Sequence, residues 1–267
     1  MKITVWCTAL VLGLAAWACQ PGGAGQTASK EAPATPIYNP PAPGFDSAGS
    51  DALAIAIADS VMEAMGGRRA WDNTHFLKWN FFGRRILLWD KYTGDVRIEI
   101  PGEQTVYIVN INNGNGMAKV KGAVIEEPDS LQTLLKNAKS IWINDAYWLL
   151  MPFKLKDSGV TLKFAGGGVS QTGEPVDILE LTFKDVGDTP QNKYQVFVSK
   201  ENHLVCQWAY FAHATDVGPT FITPWKDYKP YGDILLSGNR GERQLSDIAV
   251  LDKAPEGAFS SLEPLAW

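Results

Sequence analysis

The residues that could do chemistry are few and poorly arranged for catalysis. Histidine occurs only at positions 75, 203 and 213. No two of these share the spacing of a helical metal site, and none lies beside a cysteine pair, so the pattern does not support a zinc centre. In Gly168-Val169-Ser170-Gln171-Thr172-Gly173 the second glycine comes one residue too late for the strained turn that exposes a nucleophilic serine. Asn112-Asn113-Gly114-Asn115-Gly116 has neither a Lys-Ser/Thr ending nor a following helix, and reads as a loop rather than a phosphate cradle. Asp90, Asp95 and Glu99 lie close in sequence, and two of them facing each other across a hairpin could act as acid and base in glycoside hydrolysis. The leading expectation for them is plainer: solvated strand-edge charges neutralised by Arg84, Arg85 and Arg97. We therefore assign no catalytic residue, no metal ligand and no cofactor, and expect a protein that is not an enzyme.

Cysteine suggests a covalent role of another kind. Lys2 followed by the apolar stretch Ile3 to Trp17 is too short to span a bilayer, and small residues surround the break at Ala16-Trp17-Ala18-Cys19. This resembles a bacterial lipoprotein signal (residues 1–18), which would leave Cys19 as the lipidated first residue of the mature chain. Gln20 in the following position points, by the same resemblance, to the outer membrane. Cleavage at a plain small-residue site would instead release an exported, unanchored protein. Cys7 leaves with the signal, so Cys206 has no partner within the chain and a disulfide framework is excluded.

Residues 19–48 are rich in Pro, Gly, Ala and Ser and offer little to a core, which predicts a disordered tether below a single domain over 49–267. About 220 residues suffice for a substantial core. The formal charge of −5 and the lack of any basic run exclude nucleic acid as a partner. The expected partners are the membrane, through the N-terminal lipid, and a hydrophobic small molecule or lipid. The sequence names no protein partner.

The elements that must position these side chains are legible from periodicity. Leu53, Ile57, Val61, Met62 and Met65 recur at helical spacing, with Ser50 or Asp51 placed to cap and Gly66-Gly67 to stop. Period-two segments near 75–82, 85–91, 94–101, 104–111 and 116–122 follow, joined by turns short enough to link only antiparallel neighbours. A second helix begins at Pro128-Asp129 and runs into the apolar stretch 143–153. Strands resume near 159–165, 176–184, 192–199, 203–212, 231–237 and 243–250, with an ordered loop at 219–231. The fold class is α+β, built on one large curved antiparallel sheet.

Both faces of the early strands are apolar: Leu77, Trp79 and Phe81 share one face while Phe76 and Phe82 lie on the other, and Ile86 and Leu88 oppose Leu87 and Trp89. An antiparallel sheet normally leaves one face wet, so the second face needs a cover, supplied by helices or by a hydrophobic ligand. The side chains expected to line such a cavity are Trp79, Phe81, Leu87, Trp89, Trp142, Trp148, Leu149, Met151, Phe153, Leu181, Phe183 and Trp208. Trp225 and Trp267, in loop and tail, are expected to be exposed, and Arg84 and Arg85 to sit at a solvated turn or meet a lipid headgroup.

Met65-Gly66-Gly67, Ala70-Trp71, Trp79-Asn80-Phe81-Phe82-Gly83-Arg84-Arg85, Trp89-Asp90-Lys91, Gly94-Asp95-Val96-Arg97 and Trp142-Ile143-Asn144-Asp145 together resemble a family of uncharacterised bacterial envelope lipoproteins. Thr189-Pro190-Gln191-Asn192-Lys193-Tyr194 and Pro224-Trp225 extend the resemblance across most of residues 50 to 250. More distantly the arrangement is similar to the LolA/LolB lipoprotein-sorting superfamily. That likeness implies an incomplete β-barrel whose mouth is filled by helices and whose concave face receives acyl chains; it implies no catalytic residues. The readings carried forward are an anchored protein binding a hydrophobic ligand, a structural or interaction lipoprotein with a filled core, and an enzyme or binder of envelope glycans.

Overall fold

The computed structural model describes residues 38–267. Cys19, the signal and most of the expected tether lie outside the described residues. The tether's last stretch, 38–48, is bound to the body. Asn39 is buried and donates to Asp59, the Ala42 amide donates to the Lys156 carbonyl at 3.0 Å, and the Asp46 amide donates to the Val160 carbonyl at 3.0 Å. The boundary expected at 48 thus falls inside an ordered segment, because polar residues there find backbone partners although they offer little apolar area.

Three helices and fourteen strands make up this body: α1 (Ala52–Ala64), α2 (Gly67–Asn73), β1 (Phe76–Phe81), β2 (Arg85–Asp90), β3 (Asp95–Ile100), β4 (Thr105–Asn110), β5 (Gly116–Val120), β6 (Ala123–Val124), α3 (Pro128–Leu150), β7 (Val160–Val169), β8 (Pro175–Phe183), β9 (Lys193–Ser199), β10 (Val205–Phe211), β11 (Phe221–Pro224), β12 (Lys226–Tyr231), β13 (Ile234–Arg240) and β14 (Arg243–Leu251). They form an α+β fold with two antiparallel sheets, one of nine strands in the order β12-β13-β14-β1-β2-β3-β4-β5-β6 and one of five in the order β11-β10-β9-β8-β7, neither closed into a barrel. The single sheet expected from sequence is thus two. The chain passes from one to the other at Trp225, between Pro224 on one edge strand and β12 on another. Proline is tolerated at edges because its missing N–H costs no ladder bond there. Pro219, Pro224 and Pro230 are also why 219–231 reads as a loop in sequence.

Local signals account for the helices. The Glu127 carboxylate accepts hydrogen bonds from the amides of Asp129 and Ser130, and Pro128 fills the first turn of α3. At α1 the expected caps do something else. Asp51 occupies the N-cap position, but its carboxylate accepts from the Phe164 amide at 2.9 Å and from Lys163, while Ser50 Oγ accepts from the Leu162 amide at 2.9 Å. Both residues therefore stitch α1 to β7. Gly66 does end α1, at φ +110, where an added Cβ would meet the Asp233 carbonyl at 2.2 Å; the chain then restarts as α2, which the glycine pair hides from sequence.

The helix-side face of the nine-stranded sheet presents Leu77, Trp79, Phe81, Leu87, Trp89, Val96 and Ile98 to α1, α3 and the inner face of the five-stranded sheet, forming one continuous core. Phe76 and Leu88, on the opposite face, form a smaller cluster with Ala258, packed by Leu251, Ala254, Phe259 and Leu265. The cover of the second face is therefore the C-terminal segment 252–267, not a helix or a guest. No helix among the described residues is long and apolar enough to cross a membrane.

A candidate ligand cleft around helix α3

The second half of α3 is pinned from two directions. Asp145, fully buried, accepts a bidentate pair of hydrogen bonds from Arg85 of β2 at 2.8 and 2.9 Å. Burial raises its pKa from the ordinary carboxylate value, with Arg85 opposing the shift. From the other side Arg240 of β13 donates to the Trp148 carbonyl at 2.8 and 3.2 Å, and its guanidinium lies 3.3 Å from the centroid of the Trp225 ring. Burial pulls this guanidinium down to about 9, still protonated at neutral pH. A cation among the last carbonyls of a helix complements the negative end of its dipole. Two arginines from distant strands thus fix one helical turn.

Around that turn the packing is open. A groove of about 670 Å³ runs between α3 (Asn144, Trp148), the β1–β2 loop (Phe82, Gly83, Arg84) and the start of β14 (Arg243, Gln244, Ser246), with Glu242 beside it. A second cleft of about 350 Å³ lies between α3 and the five-stranded sheet, walled by Ile143, Tyr147, Trp148, Phe183, Tyr194 and Trp208 and closed by residues 186–189. A third, of about 270 Å³, continues past Trp142, Ala146, Val160 and Val186. Asn144 and Trp148 line both of the first two, and Ile143, Tyr147, Phe183 and Val186 line both of the last two, so the three lie side by side around α3 as a segmented channel.

The walls are aromatic and mutually packed. Tyr194 stacks on Trp208 at 5.0 Å, Trp148 meets Trp208 edge-on at 5.1 Å, and Tyr147 approaches Tyr194 at 5.3 Å. Several polar atoms in these walls have no hydrogen-bond partner: the Tyr147 hydroxyl and the indole N–H groups of Trp142 and Trp208. A buried donor left unmade costs about 1–3 kcal/mol, and the indoles of Trp79, Trp89 and Trp225 in the packed interior share that condition, so these donors are a cost of aromatic packing rather than groups presented to the channel. Burial raises the Tyr147 hydroxyl well above its ordinary value and Tyr194 to about 12, so both remain protonated donors.

Of the twelve side chains expected at a cavity, Phe81, Trp142, Trp148, Phe183 and Trp208 line this channel. Trp79, Leu87, Trp89, Leu149, Met151, Phe153 and Leu181 lie in the packed interior and line none of its three parts. Tyr147, Ile143, Val186, Tyr194 and Arg243 line it without having been singled out in sequence. Tyr147 sits inside the apolar run 143–153, but the channel-facing side of that run was not distinguishable.

Other expectations are corrected. Trp225, expected to be exposed, is 1% exposed, with Arg240 over its ring and Trp208 edge-on to it, whereas Trp267 is exposed as expected, at 39%, beneath the Lys78 ammonium and with its indole donating to Glu99. Asp90 and Glu99 are buried rather than solvated. Asp90 accepts from the amides of Tyr92 and Thr93 and pairs with His75 at 3.1 Å, while Glu99 accepts from buried Arg97 at 2.6 Å. Each part of the channel has a single carboxylate, Glu242, Asp188 or Asp157, where glycoside cleavage uses two. Among the described residues no three of His, Cys, Asp and Glu cluster as metal ligands. Burial pushes the Cys206 thiol up to about 12, far from a reactive thiolate.

No known family profile matches the chain, and no curated protein does. Solved structures match at low identity and low TM-score. A DUF1329 family protein from Desulfovibrio piger matches at 13% identity and a TM-score of 0.42, over 78% of this chain and 97% of that one. A putative outer membrane lipoprotein-sorting protein domain from Vibrio parahaemolyticus matches at 9% and 0.35, over 70% and 88%. MucB matches at 13% and 0.25, over 79% of this chain and 63% of its own.

Proposed function

We propose that this is a lipoprotein of the bacterial envelope, acylated at Cys19 and carried on the outer membrane, whose body binds an acyl chain or similar apolar ligand in the channel around α3. The observation that carries the binding reading is the aromatic channel itself, with walls of Tyr147, Trp148, Phe183, Tyr194 and Trp208 and the polar side chains of Asn144 and Thr189 at its margin. Ligand sites have this composition: mostly apolar surface, with a few polar groups that fix orientation. Residues 19–37 serve as the tether in this reading on the strength of their Pro-, Gly- and Ala-rich composition. The fully packed interior beneath the channel supports a second reading, an interaction lipoprotein with a filled core.

The two are separated by a brominated fatty acid, which quenches indole fluorescence only at close contact. Saturable quenching is expected, because Trp142, Trp148 and Trp208 line the channel. Narrowing the channel with Ile143→Phe and Val186→Phe together is expected to weaken that quenching about tenfold at unchanged stability. An unquenched protein, or quenching indifferent to the double substitution, removes the ligand-binding reading and leaves the filled-core one.

A further inference from the structure

The channel differs chemically from end to end, and the difference specifies its occupant. Its middle and far parts are aromatic and aliphatic, whereas the first groove is rimmed by the guanidinium groups of Arg84 and Arg243. Most arginines in the described body are committed elsewhere. Arg68, Arg85 and Arg97 hold carboxylates, Arg240 holds backbone carbonyls, and Arg69 lies over Tyr38. Arg84 and Arg243 are exposed and neither forms an ion pair among the described residues. Arg243 is not loose, however: its guanidinium lies 5.9 Å from the centroid of Phe82 and 5.7 Å from that of Trp148, the aromatic floor of the groove. An exposed arginine beside aromatic rings, with no carboxylate partner, keeps its N–H fork free for a planar or tetrahedral anion.

The loop that presents Arg84 is strained. Phe82 has φ +54 and Gly83 φ +70 in the three-residue connection between β1 and β2. A bulky aromatic residue in the left-handed region is uncommon, and such outliers gather at functional sites. Here the conformation lays the Phe82 ring on Phe81 at 3.9 Å and against the edge of Trp148 at 5.3 Å, which completes the groove floor beside Arg84. Two guanidiniums against the single carboxylate of Glu242 make a locally cationic spot on a chain of formal charge −5. That spot adjoins the apolar part of the channel, with Asn144 and Trp148 on the wall between them.

We infer that the channel takes an amphiphile with an anionic head, a phosphate or carboxylate held between Arg84 and Arg243, its acyl part running past Trp148 along α3. The tail half of this inference rests on the acyl-binding reading above; the head half stands on the two arginines and is tested separately. The probes are three amphiphiles with the same single acyl chain, carrying a glycerol phosphate, a phosphocholine or an uncharged glycerol head, and inorganic phosphate alone. They are titrated against the full mature chain bearing Cys19→Ser.

The anionic amphiphile is expected to bind about tenfold or more tightly than the uncharged one, with the preference shrinking as ionic strength rises. Arg84→Gln with Arg243→Gln is expected to abolish the preference and leave binding of the uncharged amphiphile intact, and Glu242→Gln to enlarge the preference. All three residues are exposed, so folding is not at stake. Equal affinity for all heads, or a preference that survives loss of both arginines, overturns the head site while the acyl reading stands. Failure of every amphiphile overturns both. Inorganic phosphate that binds as tightly as the anionic amphiphile would make this a free-anion site and overturn the amphiphile.

Discussion

The two faces of the β1–β4 meander are covered in different ways. On one, the C-terminal segment closes over Phe76 and Leu88 with its polar groups satisfied. Arg97, 0% exposed, donates to Glu99 and to the carbonyls of Ala258, Ser261 and Glu263, while Glu99 also accepts from the Leu265 amide and the Trp267 indole. On the other, α3 is clamped by Arg85 and Arg240, yet open space lined by aromatic side chains remains around the helix. A cover that packs flush on the sheet and pairs its buried charges leaves no room for a guest. The contrast teaches that apolar residues on both faces of a sheet do not by themselves indicate a ligand, whereas an aromatic wall left open beside its cover does.

The sharpest way to break the comparison is at Arg97. Arg97→Met strands Glu99 in the interior without its cation, and the expected loss is about 3–5 kcal/mol in urea unfolding, with amide exchange accelerating across 258–267. Cleft-ligand affinity is expected to change little in whatever fraction stays folded.

Asp145→Asn attacks the helix side and is expected to cost about 2–3 kcal/mol, less because Arg85 is partly exposed and gains water when freed. It also carries a pH signature. The folded pKa of Asp145 lies above 3.8, so its contribution to stability is full below that unfolded value and is lost as pH rises through the folded one. The penalty of the substitution is therefore expected to be larger near pH 3 than at pH 7. Urea unfolding across that range checks it, and a penalty growing with pH reverses the sign.

Tyr147→Phe is the smallest change. Deleting an unpartnered buried hydroxyl is expected to leave stability unchanged or raise it by up to about 1 kcal/mol. Thermal unfolding reads this; a marked loss of stability would mean that the hydroxyl is satisfied within the fold.

Sequence legibility followed the range of the interactions. The α1 and α3 helices and the meander of β1 to β5 are local, set by periodicity, by Pro128 at a helix start and by turns such as Gly83 and Gly94, and their bounds lie within about two residues of expectation. What escaped was β11 and β12, whose prolines are compatible with strand only at an edge, and α2, hidden behind Gly66-Gly67. The C-terminal cover escaped as well, since 252–267 has no period to read.

At the site, the apolar run 143–153 announced a buried helical region, but not that Ile143 and Tyr147 would face open space while Leu149 and Met151 sealed the core. The chain by itself determined which residues are apolar and how each short segment repeats, because those properties act between near neighbours. Only the tertiary structure decided which apolar surface stayed uncovered. That depends on Arg85 and Arg240 reaching α3 from strands 60 and 92 residues away, and on where the C-terminal segment came to rest.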